Sequence, residues 1–274
     1  FHMLTKEQYQ HFQAFGFVVL RDFFSKEEIE TASLEFETAL DAVYADDPFD
    51  GSKRHSAILT GENTPFFANL PEKSNLYEIA EQLYGDCFPI TSDANRYVGD
   101  SAWHPDHYID SEKDCYGIKF AYYLDPVDSE SGALRVIPGS HRNPYWTDLD
   151  TEVKAREAEI RDLPSHVCSS QPGDLVGFDV RLWHASCGGA AGRRMCTVVY
   201  YKSPETPEEE KGMRWRANHC VEALAPAPFV NSHWAKNTDN SVKRAHWLRQ
   251  LKTYGFMEKP GTGQEREDMT FRGN

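Results

Sequence analysis

The tetrapeptide His104-Pro-Asp106-His107 carries the side chains best suited to metal chemistry in this chain. Residues i and i+2 of a strand point to the same face, so His104 and Asp106 can reach one metal ion while His107 points elsewhere. A third ligand must then come from a distant segment, and His184 is a natural candidate on a later strand. Two imidazoles and one carboxylate on one side of a metal leave coordination positions open, which is typical of non-haem Fe(II) oxygenases.

A single HxD pair occurs often by chance. Taken alone, His104 and Asp106 also fit a surface turn with a His–Asp hydrogen bond. The metal hypothesis therefore depends on the elements that surround the two residues and on further matching segments.

The first 84 residues are predicted to be mainly helical. Thr5 and Ser25 each precede a run of helix formers, which predicts helices over 5–15 and from Ser25 to about Val43, with a short strand at 17–20 between them. Residues 46–75 are polar and predict a loop, and a helix is expected around 76–84.

From about residue 88 the pattern changes to short runs rich in Val, Ile, Phe and Tyr, separated by Gly, Pro, Asp and Ser turns. This spacing favours a β-sandwich or jelly roll over alternating βα units. The predicted strands lie at 88–98, 117–124, 133–137, 174–178 and 197–201.

Three later segments complete the pattern. A charged helical stretch at 150–163 interrupts the strands and is a candidate lid across the mouth of a barrel; a solvated helix with no catalytic role is the alternative. Residues 204–211, rich in Pro and Glu, predict a loop, and residues 240–256 predict a helix.

The composition excludes some classes of partner. Asp and Glu number 43 against 29 Lys and Arg, a net charge of −14, and so acidic a surface repels nucleic-acid phosphates and anionic lipid. No apolar run approaches the roughly 20 residues that span a bilayer, and no signal-peptide pattern is seen. The six cysteines form no CxxC pair, so we expect reduced thiols, no structural zinc and a cytoplasmic protein.

Longer segments resemble the phytanoyl-CoA dioxygenase (PhyH) family of Fe(II)/2-oxoglutarate oxygenases, from about Leu4 to Tyr201. The similar segments stand in the family's order and are more specific together than any one alone. They are Leu4–Ile29, similar to its first helix, strand and second helix, Trp103–Asp106, similar to its metal motif, Gly132–His141, which ends in Pro-Gly-Ser-His, and Gln171–Asp174, followed by His184 and Arg193.

The resemblance implies a mainly β fold with flanking helices and a double-stranded β-helix (jelly-roll, cupin-like) core. It implies one oxygenase domain over 1–274, with a helical part at 4–84, a core at about 88–202 and a C-terminal helical extension at 203–258. It also implies that the His104, Asp106 and His184 triad binds Fe(II), with 2-oxoglutarate and O2 as co-substrates.

In this family an arginine shortly after the distal histidine pairs with the far carboxylate of 2-oxoglutarate, and Arg193 and Arg194 both lie in that window. A guanidinium suits this task because its planar fork binds a carboxylate through two hydrogen bonds. Only one of two adjacent strand residues can point inward, and Arg193 fits the family pattern better. Ser186 shares the face of His184 and is a candidate for the same carboxylate; a Ser bonded to its own backbone is the alternative.

Further candidates line the cavity in this hypothesis. For the co-substrate they are Lys119, Tyr122 and Asn95, and for the substrate they are His107, Tyr108 and Trp146. An ordinary packing role is the alternative for each of them. His141, in Pro-Gly-Ser-His, is interpreted as structural.

The presence of Asp106 favours hydroxylation, since related halogenases lack this carboxylate. We expect hydroxylation of an unactivated C–H of a small molecule, with release of succinate and CO2. Desaturation, ring closure or demethylation on the same scaffold are alternatives. From another class, a cupin-like metal hydrolase or isomerase using zinc or manganese, or a non-catalytic binding protein, stays open because ligands alone do not fix the metal.

Overall fold

The two N-terminal helices begin where their capping residues stand. In this computed structural model, the hydroxyl of Thr5 accepts a hydrogen bond from the Gln8 N–H, and Ser25 does the same for Glu28. Gly16 ends the first helix in the left-handed region, with φ +80°, which glycine adopts at little cost. The structure describes residues 3–59, 61, 63–109, 114–156, 159–189, 191–223, 234 and 241–257.

In the described part of the chain, ten strands form two sheets in which all the pairings are antiparallel. The large sheet has the order β1-β8-β5-β10-β3-β2, and the small one β4-β9-β6-β7. The strands are β1 Phe17–Leu20, β2 His55–Ile58, β3 Cys87–Tyr97, β4 Ser101–His104, β5 Gly117–Tyr123, β6 Arg135–Val136, β7 His166–Val167, β8 Leu175–Asp179, β9 His184–Ser186 and β10 Arg193–Lys202.

Helices flank these sheets. The helices are α1 Lys6–Phe15, α2 Lys26–Val43, α3 Pro65–Asn69, α4 Ser74–Tyr84, α5 Tyr145–Arg156, α6 Pro207–Ala223 and α7 Val242–Tyr254, with short 3-10 turns at Leu70–Glu72 and Ile160–Asp162. The predicted fold class, mainly β with flanking helices around a double-stranded β-helix core, is confirmed.

Two loop predictions were wrong. The segment 46–75 contains β2 and α3, and 204–211 contains the start of α6. The strand β2 forms because it pairs along the edge of β3, with Ser56 opposite Asn95. That pairing is a long-range contact, which local polarity does not reveal.

The strand β5 shows where the cores lie. Phe120 and Tyr122 pack on the helix-covered face of the large sheet, in the same cluster as Phe36 of α2. Ala121 and Tyr123 face the other way, into the space between the two sheets. Successive side chains of β5 point to opposite faces and therefore pack into two different cores.

The predicted domain division stays a prediction, and the sheets cross its boundaries. The strands β1 and β2, within the predicted helical part 4–84, pair with β8 and β3 of the core. The extension 203–258 contains α6 and α7, while its residues 224–233, 235–240 and 258 lie outside the described residues.

All six cysteines are buried and unpaired. Among the described residues, no helix has both the length and the apolar character needed to cross a membrane.

Candidate metal centre and adjoining cavities

The small sheet brings the three predicted ligands together. The strands β4 and β9 pair so that His104 stands opposite His184, and their ring centroids are 4.3 Å apart. Asp106 follows two residues after His104. One ligand atom from each of the three side chains lies within 4.8 Å of the others. Residues 80 positions apart along the chain (184 minus 104) therefore meet through strand register.

Backbone carbonyls orient both imidazoles. The Nδ1 atom of His104 lies 2.7 Å from the Ala102 carbonyl oxygen, and that of His184 lies 2.9 Å from the Leu182 carbonyl oxygen. A carbonyl only accepts, so Nδ1 carries the proton and Nε2 keeps a free lone pair. Burial lowers the pKa of His184 to about 4. This imidazole is therefore neutral at neutral pH, the form that binds metals.

Lys119 keeps the carboxylate charged. Its Nζ lies 3.0 Å and 3.3 Å from the two oxygens of Asp106, and Nε2 of His184 is 3.8 Å from Oδ1. Burial alone would raise the pKa of Asp106, but Lys119 and the two histidines outweigh it and hold that pKa well below its usual range. Two imidazoles and an ionised carboxylate fit the ligand set of a non-haem iron site.

Arg193 is buried beside this cluster, with 7% of its surface exposed. Its Nη2 donates to the hydroxyl of Ser186 at 3.1 Å, and its guanidinium carbon lies 5.0 Å from the ring centroid of Tyr97. Nε and Nη1 are buried and have no partner among the described residues. Buried donors of this kind are costly unless an acceptor reaches them. The guanidinium therefore suits an anionic ligand.

Two glycines make room for this guanidinium. A Cβ atom built at Gly132 would lie 1.8 Å from Nη1 of Arg193, and one built at Gly189 would lie 1.5 Å from it. A side chain at either position would occupy the space that Arg193 uses.

Arg194 points to the opposite face of the large sheet. Its guanidinium donates to both oxygens of Asp125, and also to Glu37 and to Ser33 of α2. These ion pairs tie α2 to the outside of the sheet, away from the metal ligands. The structure thus favours Arg193 for the co-substrate, and the assignment stays a prediction.

A narrow cavity of about 40 Å³ lies between the sheets beside the two histidines. Lys119, His104, His184 and Ser186 line it, and sequence reasoning had singled out each of them. The remaining lining residues were missed: Tyr97, Ser101, Tyr123, Leu134, Phe178, Ala185 and Met195.

The two other co-substrate candidates, Tyr122 and Asn95, lie on different faces of the large sheet. Tyr122 is a correction: it packs against Phe24, with ring centroids 4.8 Å apart, on the far face of the sheet. Lys119 and Tyr122 are three residues apart, so they cannot share a face of β5, and Tyr123 takes the inward position. Asn95 faces inward, opposite Met195, and accepts a hydrogen bond from Nε of Arg54 at 3.0 Å. It does not line the narrow cavity.

Comparison with known proteins supports this geometry. The phytanoyl-CoA dioxygenase (PhyH) family model matches residues 84–195. This match covers 112 of the 274 residues (84 to 195) and confirms the predicted resemblance to the family over that segment. The matched segment includes β3 to β9 and the first three residues of β10, so it contains all three predicted ligands and Arg193.

Individual relatives are distant. The chain is 25% identical over 218 residues to an ectoine dioxygenase of Sphingopyxis alaskensis, covering 68% of this chain and 71% of the relative. It is 23% identical over 202 residues to the multifunctional dioxygenase prhA of Penicillium brasilianum, covering 66% of this chain. That match spans 65% of prhA, slightly less than two thirds of its length.

Among solved structures, HygX from Streptomyces hygroscopicus, with nickel and 2-oxoglutarate bound, is similar in fold. The TM-score is 0.59 at 19% identity, and the match covers 75% of this chain and 90% of HygX. The similarity shows that this chain shares its fold with that protein.

A larger cavity, of about 590 Å³, opens on the Asp106 side of the jelly-roll core. Tyr108 and Trp146, two of the three predicted substrate residues, line it. His107 does not: it is buried, with Nε2 3.2 Å from the Tyr201 hydroxyl. Its backbone N–H donates to the Val180 carbonyl at 2.8 Å. The other lining residues are Ile109, Asp150, Trp215, Arg216 and His219.

The missed residues fall into two groups. Residues two or four apart on a strand share a face. That rule identifies Tyr97, two residues after Asn95, and Tyr123, four residues after Lys119. Trp215 and Arg216 lie on α6, and no pattern in the sequence places that helix over the metal ligands. Only the three-dimensional arrangement identifies them.

Proposed function

We propose that this protein is an Fe(II)/2-oxoglutarate-dependent dioxygenase that hydroxylates an unactivated C–H of a small molecule. The observation that carries the proposal is the meeting of His104, Asp106 and His184 within 4.8 Å. The buried guanidinium of Arg193, whose Nε and Nη1 have no partner among the described residues, adds to it. Both curated relatives are named dioxygenases, which supports the same reaction class.

In this proposal the triad holds iron, which when bound supplies the activation of O2 and the oxidative decarboxylation of 2-oxoglutarate. One oxygen atom of O2 enters succinate and the other enters the hydroxylated product, with loss of CO2. Arg193 and Ser186 bind the far carboxylate of 2-oxoglutarate through charge-assisted hydrogen bonds. Those contacts fix the co-substrate in the narrow cavity.

The remaining residues prepare the site. Lys119 keeps Asp106 ionised and holds the carboxylate in position through its own hydrogen bonds. The packed sheets exclude water from the narrow cavity, which strengthens the electrostatic contacts inside. The substrate enters through the larger cavity, where Tyr108 and Trp146 contact it. We also place the protein in the cytoplasm, because its six cysteines are buried without disulfides.

The test is to measure bound iron and succinate release on the purified protein. Wild type should bind one Fe(II) and slowly convert 2-oxoglutarate to succinate without a substrate. His104→Ala/Asp106→Ala should do neither, because two of three ligands are gone. Arg194→Ala is the matched control, since its guanidinium lies on the far face.

Stoichiometric iron in the double variant would overturn the site assignment. Zinc as the bound metal, together with no succinate under any condition, would instead favour a metal hydrolase or isomerase on this scaffold.

A further inference from the structure

We propose that the substrate carries an anionic group, a carboxylate or a phosphate, which Arg216 of α6 binds in the larger cavity. The inference rests on the proposed function, because it assigns the substrate of that same site. It starts from the contacts of Arg216 with the described residues.

Arg216 lies in the cavity wall, where the charge of Asp106 acts on it from beyond ion-pair distance. Among the described residues it makes no hydrogen bond and no ion pair, and its Nε is buried without a partner. Its guanidinium carbon lies 5.8 Å from the ring centroid of Tyr201. Two other poorly exposed arginines are paired with a carboxylate: Arg181 lies 2.6 Å from Asp179, and Arg244 lies 2.5 Å from Glu72.

The carboxylates in the same wall are already engaged. Asp106 is held by Lys119 and faces the two histidines. Asp150 forms an ion pair with Lys154 at 2.7 Å. Because an arginine stays protonated and a partly buried charge is costly without a partner, we assign to Arg216 an anion supplied by a ligand. The far carboxylate of 2-oxoglutarate is assigned to Arg193, so the substrate is the remaining source.

The other residues of the cavity wall indicate the chemistry of the part of the substrate that does not contact Arg216. Tyr108 and Trp146 meet edge to face, with centroids 5.8 Å apart, and Trp215 stacks on His219. A cavity of about 590 Å³ is of the size that takes a small molecule. The wall therefore suits a molecule with an apolar or planar part against the aromatic rings and an anionic group on Arg216. The C–H to be oxidised would lie toward Asp106.

The experiment compares matched ligands on protein loaded with Zn(II) and saturated with 2-oxoglutarate. The probes are hydrocinnamate against its neutral amide, and phenyl phosphate against phenol, followed by ligand-observed NMR. In wild type, at least one anion should bind about tenfold or more tightly than its neutral partner, as one charge-assisted pair allows. The pair with the larger preference identifies the anionic group.

Variants test whether Arg216 is responsible. Arg216→Gln should abolish the preference and Arg216→Lys should keep part of it. Arg214→Gln should keep all of it, because Arg214 lies on the same helix but is exposed and paired with Glu210. Arg216→Met should melt no lower than wild type without ligand, since it removes an unpaired charge. A merely structural arginine would lower the melting temperature.

Neutral probes that bind as tightly as the anions, no anion-dependent binding, or a preference that survives in Arg216→Gln would overturn the inference. The proposed function is judged separately, by succinate release from wild type without substrate. Anion binding through Arg216 without any succinate release would refute the oxygenase and leave the anion site standing.

Discussion

Arg193 and Arg194 are neighbours on β10, yet the two guanidinium groups have different surroundings. Arg194 is surrounded by Asp125, Glu37 and Ser33. Arg193 has one hydroxyl, that of Ser186, and two buried donors without a partner among the described residues. A residue with its own acceptors stabilises the fold, whereas a residue with unmet donors is suited to hold a ligand.

Gly189→Ala should weaken 2-oxoglutarate binding by about tenfold or more, because lost hydrogen bonds to a charged group are worth about 1.5–3 kcal/mol. The new methyl group would overlap Nη1 of Arg193. That atom is the end of a flexible side chain, so the guanidinium moves and the melting temperature changes little. Calorimetric titration of the metal-loaded protein with 2-oxoglutarate measures the effect.

Two further variants are controls for this prediction. Arg193→Ala should weaken 2-oxoglutarate binding at least as much as Gly189→Ala, and Arg194→Ala should leave it unchanged. If Arg194→Ala gave the larger loss, the far carboxylate would lie on the other face of β10. Unchanged binding in Gly189→Ala would show that the position of this guanidinium does not matter.

Among the elements, the turn that contains Pro138-Gly-Ser-His141 supports the strand of the distal ligand. The Ile137 N–H donates to the Trp183 carbonyl at 3.0 Å, and the Trp183 N–H donates to the Ser140 hydroxyl at 3.0 Å. Both bonds hold the residue next to His184. The imidazole of His141 is buried against Gly16, where a Cβ atom would lie 2.5 Å from its Nδ1.

This packing predicts a pH dependence of stability. Burial lowers the pKa of His141 from 6.5 to about 4, although Asp179 acts in the opposite direction. The unfolded chain takes up the proton first as pH falls, so the free energy of unfolding should decrease from about pH 6.5 to about pH 4. His141→Asn should make this decrease shallower. Urea titrations at several pH values give the slope.

Ser140→Ala is the matched control in the same turn. It leaves the buried Trp183 N–H without an acceptor, which should cost about 1–3 kcal/mol at every pH, but it removes no titratable group. An unchanged slope in His141→Asn, or an altered one in Ser140→Ala, would contradict the role given to His141.

At the scale of the whole molecule, site residues that lie in local sequence motifs could be predicted from the sequence, whereas those placed by helix packing could not. The metal ligands and Arg193 lie in segments with their own local pattern, such as an HxD pair at the end of a strand. The prediction for Tyr122 was wrong because Tyr122 and Lys119 are three residues apart on β5, and side chains at that spacing point to opposite faces of the sheet. Arg216 gave no local signal, because its position depends on how α6 packs over the jelly roll. Such packing is a property of the assembled chain.

The same assembly predicts how the protein behaves without metal. Each ligand lies on or just after a strand that is already paired, as β4 and β9 are through His104 and His184. We therefore expect the chelated protein to stay folded, with an unchanged far-ultraviolet circular dichroism spectrum. Metal at a hundred times its dissociation constant should add about 2.7 kcal/mol, which raises the melting temperature of a chain of this size by about 5–10 °C.

Asp106→Ala separates this effect from general binding of cations. It removes one ligand and leaves both strands in place, so the variant should fold but lose the shift with Fe(II) under anaerobic conditions. An equal shift in the variant would mean that the ion binds elsewhere. Loss of the strand spectrum on chelation would mean that metal drives folding, as in small zinc domains. The observed register argues against that outcome, because backbone hydrogen bonds of the two sheets already bring the ligands together.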